Sequence, residues 1–324
     1  MHRLRRSSLL FSLGCSALLA AVAPASARQE GSGLADLGLP ELDVAVTADA
    51  FEGIPDQLEA GRYLVTIAAA EDTEEGGGVA FIQPAGMTAE EFLGALSGPP
   101  DETGVGTAAT PMPASEDTPA EGDEMGAPPP FIFESTYAGG TFAMAGQSAE
   151  VVVDLTPGEW IAWADDPEAP QEPIAFAVTG EMPTDLSEPA SSATLTMSEM
   201  EITVSEGALT AGQQIVKVEN LGAQPHFIVM FKGPDGFTEE QAAVVLDEEM
   251  QAEMTGTPPA YSGINPEEDL MPVAFTATQS TDTALWLSLD LEPGTYGLVC
   301  FFPDIADGTP HAYKGMYAVV EVAS

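Results

Sequence analysis

The residues able to do chemistry crowd into the end of the chain. Cys300 is followed after a ten-residue stretch by His311, and His311 after four more residues by Met316. Upstream, Gln224-Pro225-His226 supplies a second imidazole. The 324 residues hold two cysteines and three histidines, and Cys15 and His2 fall in a leading stretch that reads as an export signal. With that stretch removed, Cys300, His226 and His311 are all that remain of either type. An exported chain with one cysteine forms no internal disulfide, so Cys300 is a buried passenger, an intermolecular bridge or a metal ligand. Taken singly, each residue is ordinarily core or structural. Taken together, two imidazoles, a thiolate and a thioether are the ligand set of a type 1 copper ion, with His226, Cys300, His311 and Met316 as candidates. Zinc accepts thiolate and imidazole too, but methionine suits it poorly.

A centre that changes oxidation state needs ligands held by rigid elements. Pro293-Gly294-Thr295-Tyr296 turns the chain into a strand that ends near Cys300, and Met316 opens the final strand. His226 opens an earlier strand, after the turn Asn220–Pro225. If that strand neighbours the last one, the four ligands meet at one end of a β-sandwich. Strands are expected over 193–197, 201–205, 213–219, 226–231, 284–289, 294–301 and 314–322, separated by Gly, Pro, Asn and Asp. Thr238–Met254 has helical spacing, with Thr238 and the acids behind it marking its start. Met250, Met254 and Met271 suggest either an accessory Cu(I) cluster or, more simply, helix packing.

Three stretches recur in the same order. Leu58–Val65 parallels Leu209–Val216, Gly86–Glu90 parallels Gly236–Glu240, and Asp154–Trp160 parallels Asp290–Tyr296. One fold used twice is the economical explanation. The expected organisation is a signal peptide (1–27), a linker (28–40), a first domain (41–180) with an unstructured polar insert (98–130), a linker (181–192) and a second domain (193–324). In the repeat, Cys300 corresponds to Ala164, and His226 falls near Gly76. No histidine or cysteine lies between Arg28 and Pro225, so the first domain carries no such site. Its Trp160 and Trp163 are either core or exposed recognition groups, with core the default for strand tryptophans.

Residues 193–324 resemble a cupredoxin of the plastocyanin and azurin type. The resemblance is carried by Asn-x-Gly-x-x-Pro-His ending at His226, Pro-Gly-Thr-Tyr-x-x-x-Cys ending at Cys300, and His-x-x-x-x-Met from His311 to Met316. It implies an all-β fold of two tandem cupredoxin-like Greek-key sandwiches, the first degenerate and the second with a helical insertion. It also implies His226, Cys300 and His311 as equatorial ligands and Met316 as the weak axial one. His311 would then lie in an apolar surface patch as the contact for redox partners. The ten residues between Cys300 and His311 exceed the few found in plastocyanin, and such a loop can rotate the site or cover His311.

Arg3, Arg5 and Arg6, the apolar run Leu9–Val22 and Ala25-Ser26-Ala27 form a signal peptide, which implies a periplasmic or extracellular protein with no membrane insertion after its removal. Eight basic residues face 52 acidic ones, for a net charge of −44. Such a surface repels nucleic acid and anionic lipid. Spread along the whole chain, the acids read as solubility first and as a docking face for a basic partner second. Two imidazoles are too few for a multicopper oxidase or a copper nitrite reductase, and no hydrolytic triad is available. The expected role is non-enzymatic: one-electron transfer with a partner such as a c-type cytochrome or an oxidase, or copper sequestration and delivery without redox turnover.

Overall fold

The computed structural model describes residues 33–73, 76–96, 129–165 and 169–323. The expected signal peptide, and the expected insert up to residue 128, lie outside those residues. The first half runs through β1 (Glu41–Val46), β2 (Phe51–Glu52), β3 (Gln57–Glu59), β4 (Gly61–Ala69), β5 (Gly76–Gln83), α1 (Ala89–Leu96), α2 (Pro130–Glu134), β6 (Thr136–Met144), β7 (Ser148–Leu155), β8 (Gly158–Trp163) and β9 (Ile174–Thr179). The second continues with β10 (Ala193–Ser198), β11 (Glu201–Gly207), β12 (Gly212–Asn220), β13 (Val229–Lys232), α3 (Glu239–Thr255), α4 (Pro266–Asp269), β14 (Met271–Phe275), β15 (Thr283–Leu291), β16 (Gly294–Val299) and β17 (Tyr317–Val322).

The sequence repeat is a repeat of strand pairing. In the first half β1 lies parallel to β4 and β4 antiparallel to β7; in the second, β10, β12 and β15 do the same. Facing them, β5 pairs with β6 and β8, and β8 with β9, as β13 pairs with β14 and β16, and β16 with β17. Local chemistry repeats as well. Thr88 and Glu91 cap α1 with the reciprocal bonds that Thr238 and Gln241 make at α3. Trp160 Nε1 donates to the Thr156 carbonyl at 2.7 Å, and Tyr296 Oη donates to the Glu292 carbonyl at 2.9 Å, each reaching back four residues.

The two halves share a sheet. β7 pairs antiparallel with β15, joining their strands in the order β11-β10-β12-β15-β7-β4-β1-β2. At this joint Val151 faces Leu287, its own counterpart in the repeat, so a pseudo-twofold axis passes through that pair. Leu34, Leu64, Val152 and Trp286 form a small buried cluster there, which accounts for the nearly continuous burial of β4. Leu34 thus packs into the fold from within the expected linker. Arg62 grips Asp154 through Nε and Nη2, at 2.7 and 2.8 Å, and lies 4.4 Å over the Trp286 ring.

Several local expectations shift. His226 stands outside β13, held by a bridge to Gln279. The last strand starts at Tyr317, because His311–Lys314 wind into a 3-10 turn that Gly315 ends at φ 103°. The strand that follows His226, β13, does not neighbour the last one; β16, which leads into Cys300, lies between them, in the order β14-β13-β16-β17. Sequence reasoning missed β14, where Pro272 obscures a strand that is an edge and so tolerates it. It also missed α4, although Asn265 caps it and Pro266 opens it. Trp160 and Trp163 are buried core residues. Met254 and Met271 are exposed, which corrects helix packing as their role.

Candidate metal centre

Each of the three inner donors is placed by backbone bonds of its own segment. Asn220, at the end of β12, is wholly buried and pins the following turn. Its Nδ2 donates to the carbonyls of Gln224 and Gln279, at 2.8 and 2.9 Å, and its Oδ1 accepts from the Gly222 amide. His226 then exchanges both backbone bonds with Gln279, at 3.0 and 2.8 Å. Gln279 is itself wholly buried and donates through Nε2 to the Val218 carbonyl. Sequence reasoning did not find Gln279, since an isolated glutamine in Thr-Ala-Thr-Gln-Ser carries no signal.

Cys300 follows directly on β16, and its amide donates to the Met316 carbonyl at 3.1 Å. The His311 amide donates to the Phe302 carbonyl, and the Met316 amide to the His311 carbonyl, both at 2.9 Å. The ten intervening residues fold back on themselves. Asp304 and Thr309 pair across the loop, and Lys314 ties its base to Asp304 and Asp307. A long loop therefore still returns His311 beside Cys300.

The result is a triangle of donor atoms. His226 Nδ1 and His311 Nδ1 lie 3.0 Å apart, and each is 3.8 Å from Cys300 Sγ. The point equidistant from the three atoms is about 2.1 Å from each. That matches metal–imidazole bonds of ~2.0–2.1 Å and falls slightly short of metal–thiolate bonds of ~2.3 Å. His226, Cys300, His311 and Met316 each have 0 % exposure, and Met316 is joined to both Cys300 and His311 through its backbone.

The electrostatics fit a cation. Burial, reinforced by His311, pushes His226 down to about 3, and burial pushes His311 down to about 4, so both imidazoles are neutral donors at neutral pH. Burial pushes the Cys300 thiol up to about 12, while the Phe227 and Phe302 amides pull it down; the Phe227 amide lies 3.5 Å from the sulfur. Both imidazole Nε2 atoms are buried without a hydrogen-bond partner. Three inward donors and two unpartnered outer nitrogens make a costly core, and a soft cation engaging the inner set offsets that cost. Among the described residues this is where histidine, cysteine and acid side chains of the kind that hold a metal converge.

His311 differs from expectation in one respect. It is wholly buried rather than exposed in a surface patch. Its ring lies 6.0 Å from that of Phe302, tilted by 46°, and Phe302 in turn meets Phe133 of α2 and Tyr137 of β6, at 5.8 and 6.4 Å. The long loop and the first half together close this side of the site. Within the first half, Ala164 follows β8 as Cys300 follows β16. Ala80 faces Trp163 as Val229 faces Val299, which sets His226 against Gly77, one residue beyond Gly76. A Cβ on Gly77 would lie 2.3 Å from Val46 Cγ1, so no imidazole fits there.

No family model matches the chain, and no curated protein matches it. Among solved structures, a dithionite-reduced auracyanin from Roseiflexus castenholzii is 24% identical, covering 40% of this chain and 95% of its own, with a TM-score of 0.27. Auracyanin A, a "blue" copper protein from Chloroflexus aurantiacus, is 19% identical over 40% of this chain and 99% of its own, with a TM-score of 0.24. A copper nitrite reductase from Nitrosomonas europaea is 11% identical over 87% of this chain and 93% of its own, with a TM-score of 0.21. At these identities and scores the likenesses add nothing to the donor geometry.

Proposed function

We propose that this chain is an exported, cupredoxin-type blue copper protein that holds one copper ion through His226, Cys300, His311 and Met316 and passes single electrons between redox partners. The observation that carries the reading is the buried triangle of two Nδ1 atoms and one Sγ. Copper in these ligands supplies a one-electron couple. The chain contributes rigidity: Asn220, Gln279 and the backbone bonds of Cys300 and Met316 fix the donors in place, so little has to rearrange when charge changes. The Phe227 amide, aimed at the sulfur, favours the thiolate. The role we propose is non-enzymatic: beyond His2 the chain has no imidazole outside this site, and a multicopper oxidase or copper nitrite reductase needs more.

Addition of Cu(II) to the purified protein should produce an intense visible thiolate-to-copper band that vanishes in Cys300→Ser. A colourless, weakly binding protein rules the reading out. Copper delivery without redox turnover is the less favoured role, because handing over an ion by ligand exchange needs an approachable ligand and all four here are wholly buried. Reversible one-electron voltammetry favours the carrier, and ready copper transfer to an acceptor favours delivery.

A further inference from the structure

The two buried imidazoles differ in what lies against them: His311 meets Phe302, which is itself buried, whereas the outer edge of His226 meets a turn and a carboxylate that reach the surface. A Cβ on Gly222 would lie 2.8 Å from His226 Nε2 and 2.9 Å from Glu199 Oε1. Gly222, itself buried, therefore packs directly on that edge of the imidazole. Glu199 Oε1 stands 3.9 Å from Nε2, and its side chain is 44 % exposed. The carboxylate is held there by the amides of Ala223 and Gln224.

The surface over this spot has a distinctive make-up. Leu221 and Ala223 flank Gly222 and are exposed, Leu221 at 57 %. Gln224 then links this turn to the long loop, accepting from the Ile305 amide and donating to Asp304. Ile305 is 51 % exposed. Two of the described chain's few exposed large aliphatic residues thus sit on adjoining loops beside the turn that packs on His226. Charge near them is negative. Arg62, Lys217, Lys232 and Lys314 are each paired to a carboxylate, and the chain's net charge is −44.

We propose that Leu221, Ala223 and Ile305, with Glu199 at their rim, dock a basic electron-transfer protein, and that electrons cross at the His226 edge beneath Gly222 rather than at His311. The occupant is a redox protein that presents its group at an apolar surface edged with lysine or arginine, since charge complementarity steers such encounters. This rests on the electron-carrier reading and adds its partner surface.

The test is stopped-flow oxidation of the copper-loaded protein by a lysine-rich c-type cytochrome, with hexaammineruthenium as a small probe that needs no docking. Leu221→Lys and Ile305→Lys should each lower the second-order rate with the cytochrome by about tenfold or more at low salt. Met254→Lys on α3, which adds the same charge at a residue 78 % exposed, should leave it within about twofold. All three variants should keep the wild-type optical band and the wild-type rate with hexaammineruthenium. Unchanged cytochrome rates in the first two variants overturn the proposal. So do an equal fall in Met254→Lys, a salt-independent rate, and a wild-type protein that does not react with the cytochrome. A wild-type protein without the blue band sinks the electron-carrier reading and this surface with it, whereas a normal band with unshifted rates sinks the surface alone.

Discussion

His226 and His311 point Nδ1 at Nδ1 across 3.0 Å, and neither has a hydrogen-bond partner for its buried Nε2. In a protein core that arrangement is tolerable for neutral rings and hostile to charged ones. The acid response of the metal-free protein follows from it.

Imidazoles titrate near ~6.5 in an unfolded chain, whereas the folded protein holds His226 at about 3 and His311 at about 4. Between those limits the unfolded state binds more protons, so stability must fall as pH falls. The contribution is whole above about pH 6.5 and is lost progressively toward pH 4 and 3. Denaturant midpoints of the metal-free protein at pH 7, 5 and 4 should decline in that order. A flat series would contradict the burial of both rings.

Metal loading should release a proton. With the Cys300 thiol pushed up to about 12 and both imidazoles neutral, the thiol proton is the one displaced at neutral pH. Calorimetric titration in buffers of different ionisation enthalpy should return about one proton per metal. Two protons, or none, would mean a different ligand set.

Gly222→Ala probes the cover over His226 without backbone strain, since this glycine has no left-handed φ. The added methyl meets His226 Nε2 and Glu199 Oε1 inside normal contact distance, so the ring must shift. Metal affinity should fall by roughly 10–100-fold, as for other residues that orient a ligand from behind, while the thermal midpoint of the metal-free protein changes little. Competition with a chelator of known affinity measures it, and an unchanged affinity would show a roomier cover.

Phe302→Ala empties the junction between His311, Phe133 and Tyr137. A cavity of that kind costs about 3–5 kcal/mol, measurable by urea denaturation. The same change admits water beside His311, which should shift the copper reduction potential; Phe302→Leu should restore most of the stability. A loss below about 1 kcal/mol would mean the neighbouring rings close the gap.

The ligand set was legible because scarcity made it so. Once the expected leader is set aside, two histidines and one cysteine stand in one motif order, and the structure brings their donor atoms together. The repeat was legible for a related reason, as the caps at Thr88 and Thr238 and the turns before Trp160 and Tyr296 are local chemistry written into adjacent residues. What stayed hidden depends on contacts distant in the chain. Nothing near Gln279 announces that it will hold His226, nothing near Phe133 announces that it will help bury His311, and no residue in β7 or β15 advertises the shared sheet. Loop length alone left open whether His311 would be covered; Lys314 and the Asp304–Thr309 pairing decided it.

The pairing of Val151 with Leu287 has an architectural implication. A strand that meets its own duplicate on a dyad is self-complementary, so either half alone would present an edge suited to pairing with a copy of itself. Residues 193–324 on their own would bare the β15 edge together with Trp286, and exposed edges of that sort seek another strand. Produced in isolation, this half should therefore pair with a second copy through that edge, and sedimentation of the isolated half checks this.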